Sequence, residues 1–185
     1  MTKLCSVGES NTIASVAWVQ RGTHLAIGTH IGTVELWDVE QYVTRSLAQS
    51  LEEHTADSRS SYSNKRVRLY NNHRARVGTM TWNTHLLTTG SRDRLIYHRD
   101  VRTKEQYSAR LVGHRQEVCG LQWSPDGQTL ASGGNDNHLL LWDARADTML
   151  TRFTEHAAAV KAIAWSPHQV CSSCVSSYSS CSSKY

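Results

Sequence analysis

Residues 116–144 carry the clearest alternation of apolar and polar positions in the chain. Val118–Trp123 alternates apolar residues with small or polar ones at period two, as a half-buried strand does. Ser124-Pro125-Asp126-Gly127 follows, and its proline and glycine are turn chemistry. Thr129–Ser132 reads as a second strand, Gly133–Asn137 as a tight turn and His138–Trp142 as a third strand. A fourth, outermost strand is predicted near residues 148–153. Residues 13–39 and 75–101 repeat this pattern, and residues 158–169 begin it again.

The spacing makes these segments one repeat. Trp82, Trp123 and Trp165 stand 41 and 42 residues apart, and so do His73, His114 and His156. Gly90 and Gly133 differ by 43. A period of about 40–45 residues, opened by Gly-His and closed by Trp-Asp, is the signature of a WD-repeat propeller blade. Gly113-His114 and Trp142-Asp143 are the two ends in the best-preserved copy. The predicted fold is therefore all-β. It is a partial WD-repeat β-propeller of about three complete blades plus the start of another, each a four-stranded antiparallel sheet.

Composition fits this picture. Six Trp and seven Tyr against one Phe suggest a tryptophan recurring at a fixed structural position. The net charge of +4 does not by itself argue for nucleic acid, and no apolar run approaches the roughly 20 residues that span a membrane. No nucleic-acid or membrane partner is expected. The N-terminus lacks the apolar stretch of a signal peptide, so an intracellular setting is predicted. Three of the five cysteines (Cys171, Cys174 and Cys181) crowd the last residues, which is not how a disulfide framework is spread. Cys5 and Cys119 read as small apolar residues. Cys171-x-x-Cys174 with Cys181 lacks a fourth ligand, so no metal and no cofactor are expected.

His114, Ser132, Asp136 and Trp142 are predicted to form a buried structural network within one blade. An imidazole, a hydroxyl, a carboxylate and an indole N–H can satisfy one another. His73, Thr89 and Asp93 repeat the set, but Arg99 stands where tryptophan is expected, so that network should be incomplete and weaker. A Ser132–His114–Asp136 hydrolytic triad is the competing reading. Recurrence at blade spacing favours the structural one, and no catalytic residue is assigned. Gly133-Gly134-Asn135-Asp136 lacks the Gly-Lys-Ser/Thr of a phosphate loop.

Several runs carry a more specific likeness. Gly90-Ser-Arg-Asp-Arg94, Gly113-His-Arg-Gln-Glu-Val-Cys-Gly-Leu121, Leu130-Ala-Ser-Gly-Gly-Asn-Asp-Asn137 and residues 154–169 resemble the Fizzy and Fizzy-related family, with the Fizzy-related branch favoured. The resemblance spans about residues 1–40 and 71–169. It implies a non-enzymatic activator and substrate-recognition subunit of the anaphase-promoting complex, a ubiquitin ligase of the cell cycle and mitosis. It also implies a place in nucleus and cytoplasm. The implied partners are subunits of that complex and substrate proteins bearing KEN-box or destruction-box degradation motifs. Asn135 and Asn137 match family positions that contribute to the KEN-type site. An amide there both donates and accepts toward a peptide, whereas the plainer reading is a turn asparagine that tolerates left-handed backbone. A generic WD-repeat interaction scaffold in another complex is the alternative function.

The expected layout is as follows. Residues 1–10 end a truncated first blade, 11–40 form a blade, and 41–72 form a flexible insertion. Residues 73–108 and 109–153 are blades, 154–169 start another, and 170–185 are a disordered Ser/Cys-rich tail outside the family pattern. Asp38 to His73 spans 35 residues, against 14 and 13 for the later connections. The insertion reads as a solvated loop or as a phosphorylatable, partner-binding one, with serines beside arginines. The family's N-terminal arm, later blades and C-terminal Ile-Arg tail have no counterpart here. The expectation is thus a truncated product, inactive alone.

Overall fold

The computed structural model describes residues 11–19, 22–39 and 66–166. It contains twelve β-strands among these residues, arranged as three four-stranded sheets. The first is β1 (Ile13–Trp18), β2 (His24–Thr29), β3 (Val34–Asp38) and β4 (Arg66–Tyr70). The second is β5 (Val77–Asn83), β6 (Leu86–Ser91), β7 (Leu95–Asp100) and β8 (Ala109–Val112). The third is β9 (Val118–Trp123), β10 (Thr129–Gly134), β11 (Leu139–Asp143) and β12 (Met149–Phe153). Every sheet is an antiparallel meander in chain order. These are propeller blades.

The cores lie between blades. Ala26, Val34, Leu36 and Tyr70 of the first pack with Val77, Trp82 and Leu87 of the second. Ile96 and Leu111 of the second pack with Val118, Leu121, Trp123, Leu130, Leu140 and Trp142 of the third. A blade buries its apolar faces only against its neighbours, and each large side chain so buried contributes about 1.5–3 kcal/mol. Trp82, near the end of β5, ties the second blade to the first, and Trp165 ties the segment 158–166 to the third. Trp82 Nε1 donates to Ala17 O at 3.1 Å, and Trp165 Nε1 donates to Gln122 O at 3.1 Å. Residues 158–166 lie along the third blade, with Val160 N donating to Gly134 O at 3.1 Å.

Three boundaries differ from the sequence reading. Arg66–Tyr70, counted with the 41–72 insertion, is the outermost strand of the first blade, in register with β3 (Val34↔Tyr70, Glu35↔Leu69). Its alternation was concealed by Arg66 and Arg68, which an edge strand carries readily. Ala109–Val112, assigned to the 109–153 blade, pairs with β7 and closes the second blade. Gly133 and Gly134, read as part of a turn, end β10 as strand residues. Gly133 pairs with both Gly120 and Leu139. Residues 1–10, most of the insertion and the 170–185 tail with Cys171, Cys174 and Cys181 lie outside the described residues.

Candidate functional site

In the third blade the structure brings His114, Ser132, Asp136 and Trp142 together. Trp142 Nε1 donates to Ser132 Oγ at 2.8 Å, and Ser132 Oγ and His114 Nε2 are 2.8 Å apart. On the other side of the ring, His114 Nδ1 donates to Asp136 Oδ1 at 3.1 Å. Burial lowers the His114 pKa, outweighing the Asp136 bond that would raise it. The ring is therefore neutral, its Nε2 accepts from the serine, and the chain of donors runs one way from indole to carboxylate. Burial pushes Asp136 up. The Arg115 amide at 2.7 Å and the His114 bond overcome it and hold the carboxyl below its ordinary value. Ser132 is 0% exposed and already saturated by indole and imidazole, so this trio presents no nucleophile to a substrate.

In the second blade His73, Thr89 and Asp93 meet in the same way. His73 Nδ1 donates to Asp93 Oδ2 at 2.9 Å, and Thr89 Oγ1 lies 2.9 Å from His73 Nε2. The network is not incomplete, contrary to the sequence reading. Arg99 takes the place of the indole and donates from Nη1 to Thr89 Oγ1. Its guanidinium is 0% exposed and lies 5.3 Å from the centre of the Tyr70 ring and 5.1 Å from that of Tyr97. Burial pushes its pKa down to about 10, against the raising effect of the two tyrosines and Asp93, so the cation persists at neutral pH. Aromatic faces are what an enclosed guanidinium tolerates best.

The first blade solves the same problem differently. Trp37 Nε1 donates to Glu35 Oε2 at 3.0 Å, and Arg66 Nη1 donates to Glu35 Oε1 at 3.0 Å. Sequence reasoning passed over this trio, because Glu35 occupies a position that is Leu140 in the third blade. It also passed over a second buried link. Trp123 Nε1 donates to Thr88 Oγ1 at 3.1 Å, and Thr88 Oγ1 lies 2.8 Å from His98 Nδ1. The signal was available: Thr88 and His98 stand where the other blades carry Ala26 with Leu36 and Ala131 with Leu141.

Asn135 and Asn137 sit in the β10–β11 turn, partly exposed. Asn137 adopts a φ of 62°, so its backbone is left-handed, which asparagine accepts at little cost. The Asn135 amide N–H donates to Glu117 O at 2.9 Å, and its side-chain Oδ1 accepts from Cys119 Sγ at 3.2 Å. Burial, then Glu117, raises the Cys119 thiol, leaving it protonated. The corresponding turns hold Arg92 and Arg94 in the second blade and His30 and Gly32 in the first. Arg94 and Gly32 share the positive φ of Asn137, at 74° and 98°. All three turns lie at one end of the blades. A cleft of about 480 Å³ between Trp82, Asp126, Ile163 and Trp165 opens at the other end. Among the described residues no three His, Cys, Asp or Glu side chains are placed to hold a metal ion.

Comparison with known proteins agrees with this architecture. Residues 105–143 match the family "WD domain, G-beta repeat". The chain is 47% identical over 168 residues to Protein FIZZY-RELATED 1 of Arabidopsis thaliana, covering 91% of this chain and 31% of that protein. It is 39% identical over 202 aligned residues to the anaphase-promoting complex subunit cdh1 of Dictyostelium discoideum, covering 91% of this chain and 24% of that one. A chain in the crystal structure of the mitotic checkpoint complex superposes with a TM-score of 0.75 at 41% identity, over 90% of this chain and 44% of the other. The chain spans about a third or less of the curated relatives it matches. Blade architecture, repeat spacing and this identity across nearly its whole length place the chain in the Fizzy-related family of WD-repeat proteins.

Proposed function

We propose that this protein is a non-catalytic activator and substrate-recognition subunit of the anaphase-promoting complex, acting in nucleus and cytoplasm. The observation that carries this reading is the 47% identity over 168 residues with a Fizzy-related protein. The 39% identity with a relative named as a subunit of that complex adds to it. Its partners are subunits of the ligase and cell-cycle substrates carrying a KEN box or a destruction box. Asn135 and Asn137 are the residues we assign to a KEN-type motif. Both side chains are partly exposed on a turn that the surrounding backbone bonds hold rigid, which suits recognition by amides.

Two measurements test the reading. The protein is expected to co-purify with the ligase core. A fluorescent peptide containing Lys-Glu-Asn should bind it, and Asn135→Ala or Asn137→Gly should weaken that binding about tenfold, as loss of one or two good hydrogen bonds does. Glycine keeps the left-handed turn, so Asn137→Gly isolates the side chain. Unchanged affinity in both variants would remove the site assignment. Failure to co-purify would favour a WD-repeat scaffold for another complex.

A further inference from the structure

The turn that offers Asn135 and Asn137 in the third blade offers Arg92 and Arg94 at the same two positions in the second. The two turns are joined by direct bonds. Arg92 N donates to Arg76 O at 2.9 Å, Arg76 Nε donates to Glu117 Oε1 at 3.1 Å, and Glu117 O accepts from Asn135 N at 2.9 Å. Arg74 and Arg115 stand on the same end, each with its amide on a turn aspartate, Asp93 at 3.1 Å and Asp136 at 2.7 Å. The result is a row of cations running from the second blade to the asparagine turn.

The charges on this end are sorted by depth. The Asp93 and Asp136 side chains are 9% and 4% exposed and face inward, taking bonds from His73, His114 and backbone amides. Arg74, Arg92, Arg94 and Arg115 are exposed. Among the described residues no carboxylate lies within ion-pair distance of any of these four. Arg76, beside them, is paired with Glu117. The opposite end behaves otherwise: Arg102 there is clamped on Asp100 at 2.6 Å. Exposed cations left unpaired beside a recognition turn raise the local concentration of anionic partners. No Tyr, Trp or Phe occupies these turns, so they lack the stacking platform that single-stranded nucleic acid uses.

We infer that Arg74, Arg92 and Arg94 form an electrostatic extension of the asparagine turn, which takes a run of aspartate and glutamate side chains flanking the recognised motif in a partner protein. This rests on Asn135 and Asn137 being the motif site. A peptide in extended conformation advances about 3.3–3.6 Å per residue, so a flank of a few residues reaches from one turn to the next.

Three peptides test it on the full chain: a Lys-Glu-Asn peptide with a flank of Asp and Glu, the same peptide with Asn and Gln in the flank, and the acidic flank on a scrambled motif. At about 0.1 M salt the acidic peptide should bind about tenfold more tightly than its neutral twin, since several exposed ion pairs each add a little. The advantage should shrink as salt screens it. Arg92→Gln with Arg94→Asn should abolish the advantage while leaving the neutral peptide's affinity unchanged. Asparagine is the residue the third blade carries at the left-handed position, so the turn survives. Arg74→Gln, whose amide bond to Asp93 is kept, should lose part of the advantage without touching either turn. Equal binding of acidic and neutral flanks, or an advantage that persists in both variants, overturns the inference. A neutral motif peptide no tighter than its scrambled form overturns the motif site instead, and the two failures are read on different peptides. Displacement of the acidic peptide by polyuridylate at equal charge, with the same dependence on Arg92 and Arg94, would overturn the choice of a protein partner.

Discussion

Gly133 lies so close to Val160 that a β-carbon on it would stand 2.4 Å from the Val160 carbonyl oxygen. The relationship recurs around the fold. Gly28 faces Val77 and Gly90 faces Val118, with β-carbon positions 2.9 and 2.7 Å from the valine Cγ1 atoms. In each case a middle strand gives up its side chain so that the chain can close on it: β5 on Gly28, β9 on Gly90, and the segment 158–166 on Gly133.

Gly133→Ala should therefore cost more than Gly28→Ala. At Gly133 the obstacle is backbone, which cannot rotate away, and residues 158–166 must move as a unit. At Gly28 the nearest atoms are side chains, Ser15 Oγ at 2.6 Å and Val77 Cγ1. Overpacking of this kind costs about 1–3 kcal/mol. Urea unfolding of both variants checks the order.

Substitutions at Arg99 and Thr89 should differ in cost. Arg99 Nε and Nη2 have no hydrogen-bond partner among the described residues. Arg99→Met removes an enclosed charge and keeps a long side chain between Tyr70 and Tyr97, so stability should change by no more than about 1 kcal/mol or improve. Thr89→Val leaves His73 Nε2 and Arg99 Nη1 without their shared hydroxyl and should cost about 1–3 kcal/mol. Thermal unfolding of the two variants side by side decides this. A large loss in Arg99→Met would show that the cation itself holds the blade.

His98 makes stability depend on pH. It is 2% exposed, and burial, then Arg99, pushes its pKa from 6.5 to about 4. The unfolded chain thus binds a proton at a pH where the folded one does not. Stability is fully present above pH 6.5 and is lost as pH falls toward 4, by about 3 kcal/mol for this group. The buried rings of His73 and His114, also lowered by burial, act in the same direction. His98→Leu copies the first and third blades, and Trp123 still donates to Thr88 in its absence. Denaturation midpoints at pH 7 and pH 5 should differ less in the variant than in the parent.

Period and spacing made the blades legible, because a strand that packs between neighbours on both faces repeats its apolar positions faithfully. The His114–Ser132–Asp136–Trp142 set was legible for the same reason. The departures were not. Arg99 looked like a missing tryptophan, and only its position between Tyr70 and Tyr97 shows that a guanidinium N–H can do an indole's work. Glu35 and His98 are polar residues within strands that the repeat spacing does not single out. Both are enclosed by residues far along the chain, Arg66 for one and Trp123 for the other; blade alignment marks His98 as unusual, but it does not name either partner. Asn135 and Asn137 could be placed on a turn from sequence. Their link to Arg92 through Arg76 and Glu117 needed the packing of two blades.

The position that closes each blade is filled three ways: Trp37 on Glu35, Arg99 on Thr89, and Trp142 on Ser132. Tandem repeats of one shape invite strands to pair with the wrong copy while the chain folds. Here an exchange would strand a guanidinium opposite Ile27 or a carboxylate where Leu140 belongs. The three closures thus act as addresses, and the order of the blades is written in their interiors as well as along the chain.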